Sequence, residues 1–174
     1  MTKEKEANVN PVIRHAVEAD IEALANIYNH YVTATAFTFD LEPKSIEERL
    51  EWFAHFSLVG KNQLLVAVKD EVVIGYAGTG KFREKTAYGT SVEASIYLDP
   101  DLRRQGAGSL LYDALFDSLA SVDIHRAYAG ITLPNDASIA LHRKFGFHPA
   151  GLYREVGRKF GRYWDVQWFE KDLN

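Results

Sequence analysis

The chain has 174 residues, of which 47% are hydrophobic and 25% charged, with a formal net charge of −4; this composition is that of one soluble domain with a real core, and the sign of the charge argues against a nucleic-acid partner. Because the sequence contains no cysteine, disulfides, a thiolate nucleophile and a cysteine-based metal site are excluded. No apolar run reaches the length of a membrane span, and residues 1–10 lack the apolar core of a signal peptide, so we expect a flexible tail over 1–10, a single domain over 11–174, no membrane partner and a cytoplasmic location.

Hydrophobic periodicity predicts strands and helices in alternation, and therefore an α/β domain. Apolar residues between Ile21 and Tyr31 recur at helical spacing, and Ser45 with Glu48 forms the capping box that starts a second helix. The predicted elements in chain order are a strand at 12–15, a helix at 20–32, a helix from 45 to about 58, strands at 63–68, 72–76 and 92–98, a helix at 110–120, a strand at 126–131, a short helix after Asn135 and a strand at 163–169. This order indicates a mixed sheet with helices on both faces.

The segment 91–109 places a strand, a glycine-containing turn and the start of a helix in direct succession. Free backbone N–H groups and the partial positive charge of a helix start attract an anion, and glycines let the backbone approach a phosphate. Arg103 and Arg104 add the positive charge that phosphate oxygens prefer. The turn has neither the Gly-Lys-[Ser/Thr] ending of a P-loop nor the G-x-G-x-x-G spacing of a dinucleotide fold. Its pattern is Arg-x-x-Gly-x-Gly. The alternative to a phosphate-binding turn is an ordinary strand–turn–helix connection that binds no ligand.

A second segment, 133–147, is predicted to form a turn, a short helix and a glycine stop. Asn135 is suited to cap the turn or the helix, and Gly146 is suited to a left-handed C-terminal cap. The two segments resemble, in the same order, the acetyl-CoA pyrophosphate loop and the Asn-containing cofactor segment of the GNAT superfamily of N-acetyltransferases.

Further stretches narrow the resemblance to the phosphinothricin acetyltransferase family. They are spread over 13–173 and include Ile27-Tyr-Asn-His-Tyr31, Phe37-Thr-Phe-Asp-Leu-Glu-Pro43, Val92-Glu93, Leu141-His142 and Gly157-Arg-Lys-Phe-Gly-Arg-Tyr-Trp-Asp-Val166. The resemblance implies the GNAT fold, with a mostly antiparallel mixed sheet that splays at its centre. It also implies acetyl-CoA as co-substrate, no metal, a homodimer, and transfer of acetyl to the α-amine of phosphinothricin, methionine sulfoximine or methionine sulfone.

The family's cofactor contacts transfer to the strand before the turn, to the turn itself and to the short helix. The residues expected to bind acetyl-CoA are Ile96, Tyr97, Leu98, Arg103, Arg104, Gln105, Gly106, Ala107, Gly108, Ser109, Asn135 and Lys144. The backbone of 96–98 is expected to bond to the pantetheine amides, and an N–H group near Leu98 to stabilise the oxyanion.

Two side chains are predicted to be catalytic. An ammonium group must lose a proton before it attacks a thioester, and Glu93, in a mostly apolar strand before the turn, matches the family's general base. His142 stands where many superfamily members have a tyrosine, and it is expected to donate a proton to the leaving thiolate. The alternatives are a solvated carboxylate for Glu93 and a structural histidine for His142.

Substrate contacts are carried over from the family to Phe37, Phe39, Arg83 and Tyr88. Small residues at 89–91 occupy positions where relatives commonly have larger ones, including an arginine, and this leaves another small amine open as the acceptor. Two further alternatives remain: acetylation of a peptide N-terminus, and a non-catalytic regulator that binds acyl-CoA. Packing in the core or in a dimer is the structural alternative for Phe37 and Phe39. No histidine spacing indicates a metal site.

Overall fold

A single mixed sheet organises the part of the chain that the computed structural model describes, which is residues 10–101 and 106–173. Within these ranges the sheet has seven strands in the order β1-β2-β3-β4-β5-β7-β6. The strands are β1 (Val12–His15), β2 (Leu64–Lys69), β3 (Val72–Lys81), β4 (Ser91–Leu98), β5 (Arg126–Thr132), β6 (His148–Lys159) and β7 (Arg162–Asp172). Neighbouring strands are antiparallel except β4 and β5, which are parallel. The predicted mixed, mostly antiparallel sheet is confirmed.

Four α-helices cover both faces of this sheet within the described ranges. They are α1 (Ile21–Ala34), α2 (Ile46–Phe53), α3 (Ala107–Leu119) and α4 (Asp136–Lys144). Strand β2 shows how the faces divide, because Leu65 and Ala67 pack in the core beside α3 while Leu64 and Val66 pack in the core beside α1. The predicted arrangement of helices on both faces is therefore confirmed.

The sheet splays between its two central parallel strands. Strands β4 and β5 are paired over Ser91↔Arg126, Val92↔Ala127 and Glu93↔Tyr128. Beyond Glu93, β4 remains paired to β3 as far as Leu98, whereas β5 is paired to β7 as far as Thr132. Beyond Glu93, the described part of β4 thus has one edge without a strand partner, as the family resemblance implied.

The strands predicted at 63–68 and 72–76 form an antiparallel hairpin, and the predicted capping box and glycine stop are confirmed in their local geometry. Strands β2 and β3 pair across residues 69–72. The Ser45 hydroxyl accepts from the Glu48 N–H, while the Glu48 carboxylate accepts from the Ser45 N–H. Gly146 has a φ of +81°, the left-handed conformation that ends a helix.

One strand was not predicted, and the bounds of several other elements differ from prediction, most clearly those of β3 and α2. Strand β6 was missed because it is an edge strand with mostly exposed residues, so alternation gives no signal. Strand β3 continues past Tyr76 to Lys81, although this extension contains Gly78 and Gly80, and glycine is a weak strand former. Helix α2 ends at Phe53 rather than near 58, because His55 and Phe56 donate to carbonyls three residues earlier and tighten the last turn.

The predicted tail lies almost entirely on residues 1–9, outside the described ranges. Among the described residues, every helix is too short or too polar to cross a membrane.

Candidate active site

The separation of β4 from β5 opens a cleft of about 220 Å³ in the middle of the sheet. One wall is β4 from Glu93 to Leu98, the opposite wall is the end of β5, and α4 closes one side with Asn135 and His142. The cleft brings together the predicted residues Phe37, Glu93, Ile96, Tyr97, Leu98, Asn135 and His142. Residues from four separate parts of the chain therefore meet where the sheet opens.

Glu93 lies at the last paired position before the strands diverge. Its cross-strand partners are Gly80 on β3 and Tyr128 on β5. Burial raises the pKa of the Glu93 carboxyl, and the positive charge of Arg83 partly offsets that rise. A carboxylate with a raised pKa is a stronger base than one in water, as proton abstraction from an ammonium group requires.

His142 is buried in the wall of the cleft, with only 3% of its surface exposed. Its Nδ1 lies 2.8 Å from the Ser138 carbonyl oxygen, and its Nε2 lies 2.9 Å from the Tyr112 hydroxyl. Burial lowers the pKa of the His142 imidazole, so the ring is neutral near pH 7. In that state Nδ1 donates to the carbonyl and Nε2 accepts from Tyr112, and both nitrogens are engaged.

Helix α3 begins directly after Gly106, within the segment where the sequence predicts an anion-binding turn. Gly106, at the N-cap, has a φ of +74° and open space around it, a conformation that a side chain would strain. The amino group of Lys144 on α4 donates to the Ser109 hydroxyl at 2.8 Å, so two predicted cofactor residues from different helices meet beside this turn. The predictions for Arg103, Arg104 and Gln105 fall outside the described residues.

The open edge of β4 and the α3 turn fit a ligand that carries amide groups and phosphates. A strand edge without a partner presents N–H and C=O groups that an amide-bearing chain can pair with. The first-turn N–H groups of a helix suit a phosphate. The Tyr31 hydroxyl donates to the Leu98 carbonyl oxygen at 2.6 Å and fixes the end of β4 beside the cleft.

The predicted substrate residues occupy three places. Phe37 lines the cleft, whereas Phe39 packs so closely against Gly157 of β6 that a Cβ there would overlap its ring. The Arg83 guanidinium lies 4.2 Å from the ring centre of Phe82, and Tyr88 meets the same ring edge-on at 6.1 Å. Arg83 is thus close enough to influence Glu93 while remaining exposed.

Sequence reasoning missed two side chains that shape this site. Tyr112 bonds to His142, 30 residues further along the chain, and Tyr31 bonds to Leu98, 67 residues further along. Both tyrosines occupy apolar positions of predicted helices, so periodicity marks them only as core residues. Their hydroxyl contacts depend on tertiary structure and leave no signal in local spacing.

Comparison with known proteins agrees with this architecture. The family described as "Acetyltransferase (GNAT) domain" matches residues 13–168. A phosphinothricin N-acetyltransferase of Streptomyces coelicolor is 51% identical over 92% of this chain and 95% of its own length. An L-methionine sulfoximine/L-methionine sulfone acetyltransferase of Salmonella typhimurium is 35% identical over 93% of this chain and 94% of its own length.

A solved structure gives the same result in three dimensions. A GNAT superfamily phosphinothricin acetyltransferase from Sinorhizobium meliloti, in complex with acetyl-CoA, superposes with a TM-score of 0.89 at 34% identity and covers 95% of this chain and 90% of that one. The chain belongs to the GNAT acetyltransferase family. The predicted resemblance to phosphinothricin acetyltransferases and the prediction of an N-acetyltransferase enzyme are confirmed.

Proposed function

We propose that this chain transfers the acetyl group of acetyl-CoA to the α-amine of a small amino acid of the phosphinothricin, methionine sulfoximine or methionine sulfone type. The observation that carries the proposal is Glu93, a partly buried carboxylate at the point where β4 and β5 separate. The names of the relatives support the same donor and the same class of acceptor.

Glu93 acts as the general base, directly or through a water molecule. An α-ammonium group titrates near 8, so a carboxylate whose pKa is raised by burial can accept its proton near neutral pH. The free amine then attacks the donor in a ternary complex, since the sequence has no cysteine to carry an acetyl group.

Acetyl-CoA supplies an activated thioester when it is bound. The open edge of β4 over 96–98 pairs with its amide groups, and a backbone N–H near Leu98 donates to the developing oxyanion. Residues 103–109, together with Asn135 and Lys144, hold the phosphates. The Tyr31 hydroxyl keeps the end of β4 in place through the Leu98 carbonyl.

His142 has two possible roles, which its hydrogen bonds make distinguishable. As a proton donor to the leaving thiolate, His142 must carry a proton on Nε2, and this requires the loss of the hydrogen bond that the Tyr112 hydroxyl donates to that nitrogen. As a positioning residue, it joins α3 to α4 through Tyr112 and the Ser138 carbonyl. The bonds at both nitrogens favour the second role.

The acceptor class is tested by following free thiol release from acetyl-CoA with three amines: methionine sulfoximine, phosphinothricin and a short peptide. We expect turnover with the amino acids and crossing initial-rate lines when both substrates are varied. Preference for the peptide would support acetylation of peptide N-termini instead. Binding of acetyl-CoA with no turnover of any amine would support a non-catalytic regulator.

We also propose a cytoplasmic homodimer. The β6–β7 hairpin carries exposed aromatic side chains, with Tyr153 48%, Phe160 58% and Tyr163 58% exposed, and this suits contact with a second copy. Sedimentation of the wild type and of a Phe160→Ser variant tests the dimer. A single species at monomer mass for the wild type would contradict it.

A further inference from the structure

A second and larger pocket, of about 710 Å³, lies on the α2 side of the sheet beside the active-site cleft. The two cavities share Ser95 and Tyr97 in their walls. Gly80, which also lines the second pocket, is the cross-strand neighbour of Glu93. The residues of β4 that face this pocket are thus on the same side of the strand as Glu93, since side chains two positions apart share a face.

Arg49 is the unusual residue of this pocket, because it is charged and yet only 5% of its surface is exposed. No carboxylate oxygen of the described residues lies within 4.0 Å of it. Among the described residues, the Arg49 Nε has no hydrogen-bond partner, and Nη2 makes a long contact of 3.4 Å to the Tyr76 hydroxyl. A buried cation is costly unless it is paired.

Aromatic rings hold the guanidinium in place without neutralising its charge. Its central carbon lies 3.5 Å from the ring centre of Trp52 and 4.9 Å from that of Tyr28. Burial raises the pKa of Tyr28 to about 12, and it also raises the pKa of Tyr76, so neither phenol is an anion at neutral pH. Stacking on aromatic faces orients the donors of an arginine and leaves its N–H groups available.

The other charges of the pocket are already paired or exposed. The Lys44 amino group lies 3.6 Å from carboxylate oxygens of both Asp40 and Glu48. Lys81 is 2.6 Å from Glu84, and Glu51 is exposed. Arg49 is therefore the cation of this pocket, among the described residues, that has no carboxylate against it.

We propose that Arg49 binds the α-carboxylate of the acceptor amino acid and so selects amino acids over simple amines. This rests on the proposed function, because it requires the acceptor amine to lie beside Glu93. Arginine matches the geometry of a carboxylate with two parallel N–H donors. A site built to pair a charged group rejects a ligand that lacks it, because the buried donors would then stay unpaired.

The test compares methionine sulfone with 3-(methylsulfonyl)propylamine, the same amine without its carboxylate. For Arg49→Met, we expect kcat/KM with the amino acid to fall roughly 10- to 100-fold, as for a lost hydrogen bond to a charged group, and kcat/KM with the simple amine to stay within about threefold. Arg49→Lys keeps the positive charge but loses the two parallel N–H donors, so its kcat/KM with the amino acid should lie between those of the wild type and Arg49→Met. Lys69→Met, which removes one cation at the β2–β3 turn, is the charge control and should change neither value.

Calorimetric binding of methionine sulfone in the presence of CoA separates the two hypotheses. If methionine sulfone binds to the wild type but not to Arg49→Met, the carboxylate site is supported, whether or not the enzyme turns the ligand over. An absence of turnover would count against the proposed function alone. Equal losses for both amines, or unchanged binding in Arg49→Met and Arg49→Lys, would overturn the role of Arg49. Melting temperatures identify a variant that has merely failed to fold, in which case Arg49→Lys decides.

Discussion

The two faces of the sheet differ in the kind of side chain that fills them. Beside α3, the core is mostly aliphatic and includes Leu111, Leu115 and Leu119, which are at most 1% exposed. Beside α1 and α2, the core is rich in aromatic rings, and Tyr76 and Tyr97 stand at its centre with their hydroxyl groups. One face stabilises the domain through area removed from water, whereas the other holds polar atoms next to the site.

This difference between the two faces determines on which side of the sheet the reactive side chains lie. Glu93, Ser95 and Tyr97 point to the aromatic face, while Val92, Ala94 and Ile96 lie toward the aliphatic one. The splay joins the two faces at Glu93. Substitutions of aliphatic core residues such as Leu115 should therefore change stability, and substitutions at the splay and in the aromatic core should change rates and KM values.

The largest effect is expected at the splay. Glu93→Gln should lower kcat about 10²- to 10⁴-fold near pH 7, the usual worth of a general base, while the fold and the KM for acetyl-CoA are retained. The loss should shrink at high pH, where the amine is already deprotonated. Initial rates from pH 6 to 10 measure this.

Glu84→Gln is a matched control, since its side chain is 91% exposed and paired with Lys81. It should behave like the wild type. A Glu93→Gln enzyme with an unchanged rate at pH 7 would remove Glu93 from the mechanism.

A pair of core variants separates the two faces directly. Leu115→Ala should reduce the free energy of unfolding by about 2–5 kcal/mol through lost burial and a residual cavity, with both KM values unchanged. Tyr28→Phe removes a hydroxyl that donates to Asp40 at 2.7 Å and should reduce it by only about 1 kcal/mol, with a measurable change in the amine KM. Urea unfolding and steady-state kinetics on the same preparations measure both quantities. Equal kinetic effects of the two variants would contradict a division of labour between the faces.

A smaller effect is expected at the start of α3. Gly106→Val should raise the KM for acetyl-CoA roughly tenfold, because a side chain in the left-handed region costs about 1–2 kcal/mol and would also obstruct a phosphate. Gly161 has the same φ of +74° and the same open surroundings, so Gly161→Val carries equal strain away from the turn. A rise in the amine KM instead, or the same rise in Gly161→Val, would show that the turn does not hold the cofactor.

Local signals in the sequence were sufficient for much of the fold. Strand β1 has the predicted bounds. The capping box at Ser45 and the cap by Asn135 form as expected, because each depends on contacts within four residues. Strand β6 was not predicted, because exposed residues on both of its faces give no alternation.

The sequence predicted only those site residues that belong to a recognisable motif. Glu93 and Asn135 belong to segments with a recognisable order, and the structure brings both to one cleft. The position of Arg49 among Trp52, Tyr28 and Tyr76 was not predicted, because two of its ring contacts come from other elements. Pairings of this kind depend on how helices lie on a sheet, which no local pattern records.

The smallest effect concerns the one histidine that the aliphatic face buries. The pKa of His142 is lowered from 6.5 by burial, so below pH 6.5 the unfolded chain takes up a proton at this residue more readily than the folded protein. The free energy of unfolding should therefore be fully maintained above pH 6.5 and fall as the pH drops below it, by about 1.4 kcal/mol for each unit by which the pKa is lowered. His142→Tyr should remove this part of the pH dependence, whereas His55→Gln, at an exposed position, should retain it. An unchanged pH dependence of the unfolding free energy in His142→Tyr would mean that the imidazole ring of the wild type is not held neutral in the folded protein.

The same variant tests the role of residue 142 in catalysis. Retention of activity to higher pH would indicate that this residue donates a proton, because tyrosine stays protonated to near 10. An unchanged pH–rate profile would indicate that it is a positioning residue.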